Sequence, residues 1–172
     1  MRARGFTLIE VLVVVVIIGL IAAGTILTIG SSGRDSGLDT EAERLYSLLR
    51  YVREQAELST REYGLRAENG AYEFVAFDAR SGLWRSVEED DILRLRNLPP
   101  GLRLRLRVEE REVVLRRPQG EKEPKPQVML FSNGDITDFE ISLERENAGR
   151  SVLVRSTDSG ELELLPIEEP ER

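Results

Sequence analysis

Glu10 stands at the head of a run, Val11 to Gly33, that carries no charge. In lipid an acidic side chain costs about 2.5–3.5 kcal/mol at a helix centre, and less near the interface. A carboxylate kept in such surroundings is a candidate functional residue. Other acidic groups offer weaker chemistry. Asp35-Ser36-Gly37 and Asp158-Ser159-Gly160 repeat a tripeptide that, when two buried carboxylates share a proton, supports acid–base hydrolysis. Neither copy has the apolar flanks of a buried loop, and both read as turn or linker. Glu88-Glu89-Asp90-Asp91 offers oxygen ligands for calcium but lacks a glycine-pivoted ligand spacing, and reads as an exposed acidic loop. Asn133, Asp135 and Asp138 fit turn chemistry. Histidine and cysteine are absent, which removes the usual zinc sites, histidine triads and thiol nucleophiles. No catalytic residue, metal site or cofactor is expected, and the chain does not read as an enzyme.

The start of the chain must position Glu10. Arg2 and Arg4 precede the apolar run and, by the positive-inside tendency, hold the amino terminus in the cytoplasm. About 20 apolar residues span a bilayer, so a plain anchor fits the length but explains neither Glu10 nor Gly5 before Phe6. A secretory signal would have an apolar region of about 7–15 residues and a small-residue cleavage site. Ala22-Ala23-Gly24 matches such a site, yet Glu10 interrupts the apolar region. The lack of cysteine is compatible with an oxidising compartment.

Behind the anchor, the 172-residue chain leaves enough for one domain with its own core. Gly30-Ser-Ser-Gly33 and Asp35-Ser-Gly37 read as a flexible joint that interrupts the helix. In a second helix Leu38, Ala42, Leu45, Leu49, Val52 and Ala56 recur at steps of four and three and share one face, with charged residues on the remainder. Short strands follow: Gly64–Ala67 and Ala71–Phe77 around Asn69-Gly70, then Leu83–Val87. Leu102, Leu104, Leu106 and Val108 alternate with Arg103, Arg105 and Arg107. That arginine row either docks an acidic partner or forms the wet side of a strand paired with carboxylates across the sheet, the reading preferred here. Leu98-Pro99-Pro100-Gly101-Leu102 is a rigid lead-in to that strand. Val113–Arg116, Val128–Ser132, Ile136–Arg145, Ser151–Ser156 and Glu161–Leu165 complete the series. The fold class is α+β: a long N-terminal membrane and amphipathic helix, then an antiparallel, sandwich-like β head. Pro118–Pro126 reads as a mobile loop and Pro166–Arg172 as a loose polar tail.

Gly5-Phe6-Thr7-Leu8-Ile9-Glu10 resembles, residue for residue, the leader of type IV prepilin-like proteins. The resemblance implies that a membrane prepilin peptidase cuts between Gly5 and Phe6 and methylates the new amino terminus of Phe6. It also implies that Glu10 serves assembly, its carboxylate meeting the positive amino group of Phe6 on the same or a neighbouring subunit. The head is similar to minor pseudopilin H and related minor pilins in the helix from Leu45 to Ala56, the Leu98–Leu102 turn and the Val128–Asp135 strand and turn. The implied division is a cleaved leader (1–5), a transmembrane and filament-core helix (6–33), the joint (34–37), a periplasmic head (38–166) and an acidic tail (167–172). The implied function is that of a minor pseudopilin of type II secretion, in the inner membrane with a single pass, its amino terminus cytoplasmic and its head periplasmic. Its partners would be the major pseudopilin, other minor pseudopilins and an inner-membrane assembly platform. The alternative is a minor pilin of type IV pili or DNA uptake. A head touching DNA needs a basic patch, whereas the whole chain carries −7 and Glu161–Arg172 holds five glutamates and one arginine. No nucleic-acid partner is expected.

Overall fold

The computed structural model describes the backbone of residues 8–87, 90–116, 123–146 and 149–168, without the side chains of 8–11, 18–35 and 167–168. Two compact units form, Met1–Ser36 and Gly37–Arg172. Gly5 and Phe6 lie outside the described residues, as does the Glu10 side chain.

Helix α1 (Leu8–Ser59) runs without a break. The expected interruption at residues 30–37 is therefore replaced by helical backbone, and Ser36-Gly37 is helix rather than turn. Glycine weakens a helix interior by about 1 kcal/mol but keeps its amide, whereas proline, absent from this stretch, would remove a hydrogen bond. α1 ends where Thr60 takes a left-handed φ of 50°. There the Arg61 amide closes back on the Ala56 carbonyl at 3.2 Å, the six-to-one bond of a Schellman cap.

In the head, the helix face expected from periodicity is the buried one: Leu38, Ala42, Leu45, Leu49, Val52 and Ala56 are each at most 1% exposed. They share a core with residues from two antiparallel sheets. The first contains β1 (Tyr63–Glu68), β2 (Ala71–Asp78), β3 (Leu83–Ser86), β4 (Arg96–Asn97) and β7 (Val128–Leu130), in the order β3-β2-β1-β7 with β4 also on β2. The second contains β5 (Leu102–Val108), β6 (Arg111–Val113), β8 (Phe139–Arg145), β9 (Arg150–Ser156) and β10 (Leu162–Glu168), in the order β10-β9-β8-β5-β6. Gly70, at φ 79°, closes the tight β1–β2 turn that pairs Glu68 with Ala71. Several strand limits shift. β6 precedes the expected Val113–Arg116, β8 starts at Phe139, and β10 extends through Pro166 to Glu168, so the tail expected to be loose is partly sheet.

The segment before β7 also differs from expectation. Residues 117–122 are outside the description, but 123–127 are held against the outer side of the first sheet. A Cβ added to Gly64 would lie 2.4 Å from Pro126 Cβ, so glycine is what lets the proline sit there. Gln127 exchanges hydrogen bonds with the Ala67 backbone, and Glu123 accepts from the Trp84 amide at 2.9 Å.

Candidate functional site

In the first unit, helix positions 12–17 are all apolar and all exposed, from 46% at Val14 to 63% at Val15. Six consecutive residues go round the whole helix, so no single face is reserved for a core. Covering each such side chain is worth about 1.5–3 kcal/mol. That sum outweighs the cost of one carboxylate several-fold, so an apolar medium or protein cover wins over the objection from Glu10. Among the described residues no helix is long and apolar enough to cross a membrane. The uncharged run Val11–Gly33 lies mostly where side chains are not described. The backbone of Glu10 belongs to α1, beside these residues in sequence.

In the head, polar contacts fix α1 on the sheets. Glu41, only 2% exposed, accepts from Tyr72 Oη at 2.8 Å and from Arg96 Nε and Nη2, each at 2.6 Å. Burial pushes the Glu41 carboxyl up, but the Arg96 and Tyr72 hydrogen bonds, with the Arg96 and Arg44 charges, outweigh it and hold it below its ordinary value. Burial first, then the Glu41 charge, raises the Tyr72 hydroxyl well above its usual range. The Glu41 hydrogen bond in turn raises the Arg96 guanidinium against an opposing effect of burial. By sequence Glu41 is one more of the charged residues that fill the helix beside its apolar face. A glutamate one step from the apolar stripe, between Leu38 and Leu45, is the only sequence signal for its position.

Arg53 performs a second fixation. Its Nε donates to the Gly134 carbonyl at 2.9 Å and its Nη1 to the Gly160 carbonyl at 2.7 Å. One side chain thus ties a turn following the first sheet to the β9–β10 turn of the second. Arg150 of β9 reaches both Asp39 oxygens at 3.1 Å.

The remaining candidates resolve into structural roles. Asp158-Ser-Gly160 forms a hairpin turn, with Gly160 at φ 75° and its amide on the Thr157 carbonyl. Asn133 and Asp135 hydrogen-bond each other, and Asp138 accepts from Ser156. Residues 88–89 of the acidic loop lie outside the description; Asp90 accepts from Tyr51 and the Ile92 amide, and Asp91 pairs with Arg94. On β5, Leu102, Leu104 and Leu106 are buried while Arg103, Arg105 and Arg107 pair with Glu146, Glu144 and Glu140. These arginines are more than half exposed, so each pair is worth about 0–1 kcal/mol. Pairing across the sheet, the preferred reading, is what the geometry gives.

A long helix that is apolar at its start and seated at its end on antiparallel sheets defines a pilin-like subunit. The chain belongs to the family described as Type II transport protein GspH, which matches residues 41–160. The prokaryotic N-terminal methylation motif matches residues 1–31. Type II secretion system protein H of Pseudomonas aeruginosa is 37% identical over 163 residues, covering 91% of this chain and 92% of that protein. The Aeromonas hydrophila protein of the same description is 32% identical over 178 residues, covering 99% and 97%. A structure of the minor pseudopilin EpsH from the type 2 secretion system of Vibrio cholerae matches with TM-score 0.63 at 25% identity, covering 77% of this chain and 98% of that one. The solution structure of E. coli GspH shares the fold, with TM-score 0.54 at 18% identity, covering 73% and 84%. Family membership with the methylation motif implies membrane anchoring and a structural component of a secretion system.

Proposed function

We propose that this chain is a minor pseudopilin that enters the periplasmic pseudopilus of type II secretion and supports protein export across the outer membrane. The observation that carries this reading is the match of residues 1–31 to the methylation motif on a chain whose head is of the GspH family. A prepilin peptidase cuts between Gly5 and Phe6 and methylates Phe6. Before assembly the subunit is held in the inner membrane by one pass, amino terminus in the cytoplasm and head in the periplasm. It then docks on the major pseudopilin and other minor pseudopilins at the assembly platform.

Glu10 sets register in this scheme. Its carboxylate is costly while the subunit is alone in lipid and is matched when a Phe6 amino group approaches. A subunit docked at the wrong height leaves both charges unmatched. The test is mass spectrometry of the amino terminus. The mature chain should begin at methylated Phe6, and a bulky residue in place of Gly5 should leave the chain inserted but uncut. A mature terminus at any other residue contradicts the reading.

A further inference from the structure

β10 is an edge strand, bonded in its sheet only to β9. The Thr157 amide donates to the Glu161 carbonyl at 2.8 Å, which makes that a bonded pair. In an antiparallel ladder bonded pairs alternate, so Arg155–Glu163, Leu153–Leu165 and Ser151–Ile167 follow. The backbone groups of Leu162, Leu164, Pro166 and Glu168 therefore point away from β9. Two observations agree. Proline, which has no amide to donate, stands at one of these outward positions. Tyr46 Oη reaches the Leu162 carbonyl from that side at 3.4 Å.

Among the described residues the other edges are partly covered or short. Beside β7, the Thr137 amide donates to Met129 and Ile136 bridges to Leu130. Glu123 covers the outward Trp84 amide of β3, and β6 is only three residues long. β10 has seven residues, about 23 Å of strand. Among the described residues no hydrogen bond reaches Leu164 or Pro166 from the outer side. Pro166 deletes one donor and so discourages indiscriminate pairing while leaving a short segment room to bind.

We propose that the outer edge of β10 docks an extended segment of a neighbouring pseudopilin, one that alternates apolar and basic residues. The identity of this occupant rests on the assembly reading above. Strand addition supplies backbone hydrogen bonds, and alternate side chains supply choice. On the side of the strand that packs on the core, Leu162 and Leu164 are half-buried, and Tyr46 is beside Leu162 with Arg50 over its ring. That side takes apolar residues. The opposite side shows Glu161, Glu163 and Leu165, the last 37% exposed. Arg155 already neutralises Glu163, but exposed Glu161, whose carboxylate has no partner among the described residues, leaves a negative charge on this side and favours lysine or arginine in the guest.

The test uses the full-length mature chain in detergent micelles and a labelled seven-residue peptide of alternating leucine and arginine. Binding should weaken at least tenfold when the amides facing β10 are N-methylated, and should be little changed when the alternate amides are. Leu164→Pro, which removes an outward amide at a kind of position where this strand already carries proline, should weaken binding similarly. Absence of binding, or equal binding by both N-methylated peptides, overturns the docking edge without reference to any protein variant. In secreting cells a photo-crosslinking residue at position 164 should capture a strand of another pseudopilin. Capture of a second copy of this chain, of cargo, or of nothing while secretion is normal overturns the proposed occupant. Secretion that does not need the chain would count against the assembly reading instead, and the peptide result would still decide the edge.

Discussion

Glu41 shows how much one charged residue can decide when it is buried. Glu41→Gln takes the counter-charge from Arg96 and replaces one of the two acceptor oxygens by an NH2 that faces donors, so it should cost about 2–3 kcal/mol of head stability, short of the full penalty for a wholly buried pair because Arg96 is partly exposed. Chemical denaturation measures this. The sign of the pH dependence follows from the depressed carboxyl. Its contribution is complete above the ordinary value of 4.5 and is lost as pH falls through the lower folded value. Glu41→Gln should therefore flatten the acid limb of the stability profile, leave the neutral slope unchanged, and soften the alkaline loss, because the Glu41 charge also helps hold the Tyr72 hydroxyl high. An unaltered acid limb would mean that other carboxylates carry it. At this scale the sequence was informative where a residue type answers a local demand, as at Gly70, Asn133 and Asp135. It was silent on Glu41, whose partners lie on two strands far along the chain. It was silent too on Gly64, whose lack of a side chain matters only because Pro126 is folded over it.

Periodicity carries most of the information at the scale of elements. The six apolar positions of the second half of α1 and the leucine–arginine alternation of β5 are both visible as patterns, and both define a buried face in the fold. Patterns failed where a neighbour decides. Residues 30–37 are rich in glycine and serine yet helical, since nothing there forbids the helical hydrogen bonds. β10 runs through Pro166 because the missing amide lies on the open side of an edge strand, a fact local sequence does not contain. Arg53 gives this scale its test. Arg53→Ala removes the charged donor from two turn carbonyls at once and should cost about 2 kcal/mol. Amide exchange should quicken in residues 133–135 and 158–160 together, while the β1–β2 turn keeps its protection. Equal quickening at all three turns would make Arg53 a general packing residue rather than a tie between sheets.

The whole molecule divides its tasks between a helix start whose described side chains, 12–17, are exposed and a head with a core of its own. The compact unit begins at Gly37 and its core is drawn from helix and both sheets. A fragment from about Asp39 should be soluble, give mainly β circular dichroism and melt cooperatively. The same fragment should bind duplex DNA no better than an acidic control at moderate salt. Tight, salt-sensitive binding would favour an uptake pilin. Fold class and family were legible from the first ten residues and the strand rhythm, because the methylation motif is a run of neighbouring residues. The open edge at β10 was not, because local sequence does not show which strand ends a sheet.

Secretion itself is the most direct measure of the central claim. Cells lacking their own copy should stop exporting type II substrates and regain export when this chain is supplied. Glu10→Leu should still be cut after Gly5 and held in the membrane, yet crosslink poorly to the major pseudopilin and restore little export. Full export with the leucine variant would show the carboxylate to be dispensable. Normal export with no copy of the chain at all would contradict its place in the secretion filament.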